Sequence, residues 1–239
     1  MGRPEKPVDR TVPERAQLAD FLRERRNTAE LTYGQIAKAT GGRPSAATLE
    51  RAASGTKVPS LDTVECFIQA TTTDKESFGP GAAQDRARNL WIRARRATRA
   101  PSYVGQAPDP TLISDTAGFL RALRHQHAWI GYPTPGEMER ISGPGVLPRT
   151  TTRRIIAGDA LPVDPHQAVA FLKACYVINE TELERWLAAA IRSLKNDPVR
   201  TRSVGGWIEA HRVMALRVKS NAMSEQITEL RNRLIPRAA

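Results

Sequence analysis

Residues 32–55 limit what this chain can fold into more than any other stretch. They hold two short helix-compatible segments on either side of a double glycine. Ile36 and Ala37 supply the apolar face of the first segment and Leu49 that of the second. Gly41 and Gly42 supply the turn, because a residue without a Cβ takes positive φ at no steric cost. Ser45 is placed to cap the second segment by accepting a backbone N–H. Two short helices joined by a tight glycine turn predict a helix-turn-helix, a unit whose second helix fits the major groove of DNA.

The flanks extend the pattern. Leu18, Phe21 and Leu22 recur at helical spacing before the unit, and Leu61, Val64, Phe67 and Ile68 do so after Ser60. Four short helices closing one small core follow from that spacing. Ala and Arg are abundant and aromatic residues make up only 5% of the chain, so the whole chain reads as all-α.

With those residues placed, residues 15–73 resemble the Cro/lambda-repressor-like (Xre) family of helix-turn-helix domains. The matching positions are Thr32, Ile36-Ala37, Gly41, Ser45, Thr48-Leu49, Arg51, Gly55 and Pro59-Ser60. The turn is about two residues longer than the family pattern. Tyr33 stands where the family often carries a phosphate-contacting glutamine. The resemblance implies a DNA-binding regulator that works as a dimer, with a recognition helix over residues 45–54. On that helix Ser45, Ala46, Ala47, Thr48 and Arg51 face the DNA, while Lys38, Arg43 and Lys57 flank it as phosphate contacts. The two alanines carry no hydrogen-bonding group and can touch only thymine methyls.

Charge points the same way. The net charge of +11 favours a polyanionic partner, double-stranded DNA before a membrane surface. Residues 1–13, with Pro4, Pro7 and Pro13 among basic residues, read as a flexible basic arm. Residues 84–100 read as a basic fifth helix carrying Arg86, Arg88, Arg93, Arg95, Arg96 and Arg99, a further candidate for phosphate contact.

An internal repeat follows. Phe21-Leu22-Arg23 recurs as Phe119-Leu120-Arg121, Thr32 as Thr134, Gly55 as Gly158, Pro59 as Pro162, Phe67-Ile68 as Phe171-Leu172 and Trp91 as Trp186. The chain therefore reads as two tandem lambda-repressor-like helix-turn-helix domains followed by a long C-terminal helix. The expected parts are an arm at 1–13, domain 1 at 14–100, a linker at 101–113, a divergent domain 2 at 114–195, a linker at 196–206 and a helix at 207–235. The second recognition helix covers residues 149–157, with Arg149, Thr150, Thr151, Arg153 and Arg154 as DNA-facing candidates. Thr152 falls where the family wants an apolar core residue.

The last segment carries Val213, Leu216, Ser220, Met223, Ile227, Leu230 and Leu234 at spacings of three and four, a heptad stripe suited to a homodimer. The alternative is a helix packed back on its own chain. No phosphate-binding glycine loop, nucleophile elbow or Cys-x-x-Cys is present, so no enzyme is read here. His125, His127, His166 and His211 form no recognisable metal pattern, and no cofactor is expected. No stretch approaches the ~18 apolar residues of a membrane span. Cys66 and Cys175 read as two buried thiols in a reducing compartment, and the protein as cytoplasmic and nucleoid-associated. Two other readings stand beside the regulator: a non-specific architectural nucleic-acid binder, and an interaction module for a protein such as an RNA polymerase subunit.

Overall fold

A computed structural model of the chain describes residues 5–72, 81–99, 105–199 and 204–234, with residue 225 and residues 227–234 described by backbone alone. The described residues are all-helical, and the chain divides into two compact units, Met1–Tyr103 and Val104–Ala239. Residues 101–104 and 200–203, parts of the two expected linkers, lie outside the described residues.

The first unit contains α1 (Pro13–Thr28), α2 (Tyr33–Ala39), α3 (Ala46–Ala52), α4 (Leu61–Thr71) and α5 (Ala82–Arg99). Local chemistry sets each boundary. Helix α2 starts on a capping box, in which Gln35 N–H donates to Thr32 Oγ1 at 3.3 Å and Thr32 N–H donates to Gln35 Oε1 at 2.8 Å. Gly41 and Gly42 make the turn at φ +68° and +80°. The hydroxyls of Ser45 and Ser60 cap α3 and α4. Leu18, Leu22, Ile36, Leu49, Val64, Phe67, Ile68 and Trp91 close the core, each no more than 1% exposed. At roughly 1.5–3 kcal/mol per large apolar side chain, this cluster is the main force holding α1 to α5 together.

Residues 5–12 are not the free arm that their composition predicts. Glu5 pairs with Arg23 and Arg26 at 3.1 and 3.0 Å, Arg10 with Asp20 at 2.9 Å, and Asp9 N–H donates to Ser54 O at 2.8 Å. Basic residues in the segment hide the fact that the Glu5 carboxylate and the Asp9 backbone have partners in the folded domain.

The second unit contains a 3-10 turn (Pro110–Leu112), α6 (Thr116–Trp129), α7 (Pro135–Ser142), α8 (Arg149–Ala157), α9 (Pro165–Ala174), α10 (Glu180–Lys195) and α11 (Val204–Leu234). The described part of the expected linker belongs to this unit. Pro110 and Ile113 are buried, and Arg192 donates to Pro110 O at 2.8 Å. Phe119, Leu123, Met138, Leu147, Ile155, Phe171 and Trp186 fill the core, with Phe119 set edge-on to both Trp186 and Trp207.

Several contacts recur between the units. Thr134 and Glu137 repeat the capping box of Thr32 and Gln35. Arg23 Nε donates to Ala53 O at 2.8 Å, and Arg124 Nε to Ile156 O at 3.0 Å. Arg25 donates to Thr71 O, and Gln126 to Cys175 O. Gly55 and Gly158 both follow their helices at positive φ. In the second unit Arg124, not Arg121, makes the bond that Arg23 makes in the first, one helical turn further along than the expected repeat placed it. A slip of three residues keeps the apolar face nearly unchanged, so helical spacing alone does not detect it.

Helix α11 begins at Val204, ahead of the expected start at 207, and packs on α10, with Val204, Trp207 and Met214 buried. His211 Nε2–H donates to Glu184 Oε1 at 2.6 Å, and Asn221 to Glu180 at 2.8 Å. The heptad stripe lies on the opposite side: Val213, Leu216, Ser220 and Met223 are exposed. The side chains of Ile227, Leu230 and Leu234 lie outside those described. Cys175 is fully buried, whereas Cys66, also expected to be buried, is partly exposed.

Candidate nucleic-acid interface

In the first unit α3 presents its outer side through Ala47, Glu50 and Arg51, all exposed, with Ala46 and Thr48 half-buried. Leu49 and Ala52 anchor the inner side. Ser45 is occupied as the cap, accepting from Thr48 N–H at 3.3 Å and lying 3.0 Å from the Thr48 hydroxyl. Arg51 is folded back along its own helix, with Nε 3.2 Å from Ala47 O and a terminal nitrogen 3.3 Å from Thr48 Oγ1. Both bonds are long and exposed, so exchanging them for a base edge costs little. Lys38 on α2, Arg43 in the turn and Lys57 after α3 are exposed and have no side-chain partner among the described residues. This is a short ridge bearing one acid and one arginine, flanked by three cations without side-chain partners among the described residues.

Sequence reasoning passed over Glu50. It shares a surface concavity with Thr32 and Tyr33, and a carboxylate on such a helix can accept from cytosine N4. The signal was its place three residues after Ala47, on the same face.

Tyr33 does something other than contact phosphate. Its hydroxyl donates to Glu5 at 2.5 Å, its ring lies under the Arg26 guanidinium, and its edge meets Phe67. Burial first, then the bond to Glu5, pushes its phenol well above the usual tyrosine range, while Arg26 opposes the shift.

Helix α5 offers fewer free charges than its composition implies. Arg88 pairs with Glu65 at 2.7 Å, Arg86 stacks on Phe21, and Arg95 is buried against Trp91. Its main contacts are α1 and α4. Trp91 Nε1–H donates to Pro59 O at 2.8 Å, which ties α5 to the loop before α4.

In the second unit α8 has the expected bounds but no side-chain cap, since Pro148 occupies the cap position. Arg149 and Thr150 are exposed and Thr151 is half-buried. Thr152 is fully buried, and its hydroxyl donates to Pro148 O at 3.1 Å, which is how a polar residue occupies a core position. Arg153 and Arg154 are exposed with no side-chain partner among the described residues. Arg149 Nε meets Glu139 Oε2 at 2.6 Å, a pairing across the turn from α7 that the sequence did not reveal. Of the histidines, His127 is buried and donates to Pro133 O at 2.8 Å.

Against known proteins, residues 17–77 match the family described as a helix-turn-helix domain. The match takes in α2, the glycine turn, α3 and α4 and stops before α5. No curated protein and no solved structure matches the chain. No helix among the described residues is long and apolar enough to cross a membrane.

Proposed function

We propose that this protein is a sequence-specific DNA-binding transcriptional regulator of the lambda-repressor-like kind. The observation that carries the reading is the helix-turn-helix match at residues 17–77, in which α3 lies exposed between the free cations Lys38, Arg43 and Lys57. The second unit is read as a divergent copy, on the strength of the repeated capping box and the repeated arginine bond to the carbonyl two residues before a positive-φ glycine. Its α8 is the second reading helix, with Arg149, Thr150, Thr151, Arg153 and Arg154 toward DNA. Two copies of the chain pair through the outer side of α11, where Val213, Leu216 and Met223 stand exposed. A protein of this activity acts at the nucleoid.

Selection of genomic fragments by the purified chain tests the reading. The expected result is a defined motif longer than one helical turn, ~10 base pairs. A protected site of one turn or less refutes the two-reader arrangement. Replacing Lys38, Arg43 or Lys57 by Ala should weaken all sequences alike and lower the salt slope by about one each. The second reading, a non-specific architectural protein, draws on the scarcity of base-reading groups on α3. Equal competition by random DNA at physiological salt would establish it instead.

A further inference from the structure

The first residues of the two candidate reading helices differ in chemistry. Helix α3 opens on Ala46 and Ala47, which donate nothing. Helix α8 opens on Arg149, whose side chain is 60% exposed and yet already held. Its Nε meets Glu139 Oε2 at 2.6 Å. Its guanidinium rests on the backbone at Gly136, where an added Cβ would lie 3.7 Å from both Cζ and Nε. Its two terminal nitrogens have no partner among the described residues.

That arrangement suits base reading better than phosphate binding. A carboxylate on Nε leaves the terminal N–H groups as an outward fork, and guanine O6 and N7 accept such a fork in the major groove. A free arginine loses rotamer freedom on ordering, and a side chain ordered beforehand avoids part of that loss. The same carboxylate repels phosphate, which disfavours a purely electrostatic use of Arg149. Among the described residues the first unit has no counterpart to this pair, with Ala46 at the start of α3.

We propose that Glu139 is a positioning residue that holds Arg149 for bidentate recognition of a guanine by the first turn of α8. The inference rests on the reading that α8 meets DNA, and the experiment separates the two. The full chain and its E139Q, R149A, R149K and R149A/R153A/R154A variants select from a randomised duplex library. Their affinities for the selected site and its single-base variants are then measured, with circular dichroism confirming the fold of each. R149A and R149K should both lose preference for guanine at one position by about tenfold or more, although R149K keeps the charge. E139Q should lose most of the same preference, with affinity for random DNA held or raised. An E139Q protein that keeps the full guanine preference while R149A loses it overturns the positioning role. An R149A protein with unchanged preference everywhere overturns the guanine contact. A triple variant that binds selected and random DNA as the parent does overturns the underlying reading of α8.

Discussion

Gly55 is where the N-terminal segment meets the loop that follows α3, and Gly55→Ala measures how firmly. Gly55 sits at φ +77°, and a Cβ there would lie 2.6 Å from Asp9 O and 3.0 Å from Val8 Cγ1. Two costs follow. A non-glycine residue in the left-handed region costs about 1–2 kcal/mol. The obstacle is backbone, so the segment must lift and lose the Asp9 N–Ser54 O bond, about another 1 kcal/mol before any loss of packing. The sum is about 2–3 kcal/mol. Gly42→Ala is the control, since φ is +80° there but nothing lies within 4 Å, and only the first cost applies. Amide hydrogen exchange of peptides from α1 to α4 reads the first unit by itself. Gly55→Ala should speed the slowest amides by about thirty-fold to about 150-fold, beyond Gly42→Ala. Removing residues 1–9 should then bring the cost of Gly55→Ala down to that of the control. Equal exchange in the two glycine variants, or a cost unchanged by the truncation, would refute the seating of the segment on Gly55.

Three further outcomes are expected. Tyr33 is held as the neutral phenol, so its raised pKa contributes stability that is full below about pH 10, the ordinary tyrosine value, and is lost as pH climbs beyond it. The parent should therefore lose more stability than Tyr33→Phe on passing into that range, and matching profiles in urea melts would refute the account. Thr152→Val should change stability by no more than about 1 kcal/mol, because Pro148 O keeps the Thr152 backbone N–H at 2.9 Å and is not orphaned. A loss above about 2 kcal/mol in the same melts would contradict that. Leu216→Asp, at a position 59% exposed, should leave helix content unchanged and shift sedimentation from dimer to monomer. An unchanged sedimentation coefficient would remove α11 as the pairing surface.

What the sequence made legible is what local chemistry determines. Thr32, the double glycine, Ser45 and Ser60 each act on backbone within a few residues, so the helix-turn-helix could be read with its boundaries nearly right. Long-range pairs left no such trace. Glu5 reaches Arg23, Arg26 and Tyr33, and Glu139 reaches Arg149, with no periodicity to announce either. Composition counted the arginines of α5 but not their destinations, which for Arg86 and Arg95 are aromatic faces. Helix α11 carries apolar residues on two sides. Spacing found one stripe, and packing used the other, through Val204, Trp207 and Met214.

The second unit makes the physical reason plainest. The helix-turn-helix match ends at residue 77, yet corresponding carbonyls in the two units receive corresponding hydrogen bonds. A carbonyl accepts equally from the guanidinium of Arg25 or the amide of Gln126, so the bond persists while the residue type changes. Likewise Ser45 caps α3 by its hydroxyl, while Pro148 begins α8 with no side-chain cap and relies on its fixed φ and on the buried Thr152. If the second unit is the divergent copy proposed above, likeness of residue type has faded at such positions while the geometry is kept. On the function proposed above, this matters for the DNA. The unit inside the helix-turn-helix match offers alanines at the start of its reading helix, whereas the second unit offers an arginine already paired with Glu139. Sequence preference should therefore follow substitutions in α8 more closely than those in α3.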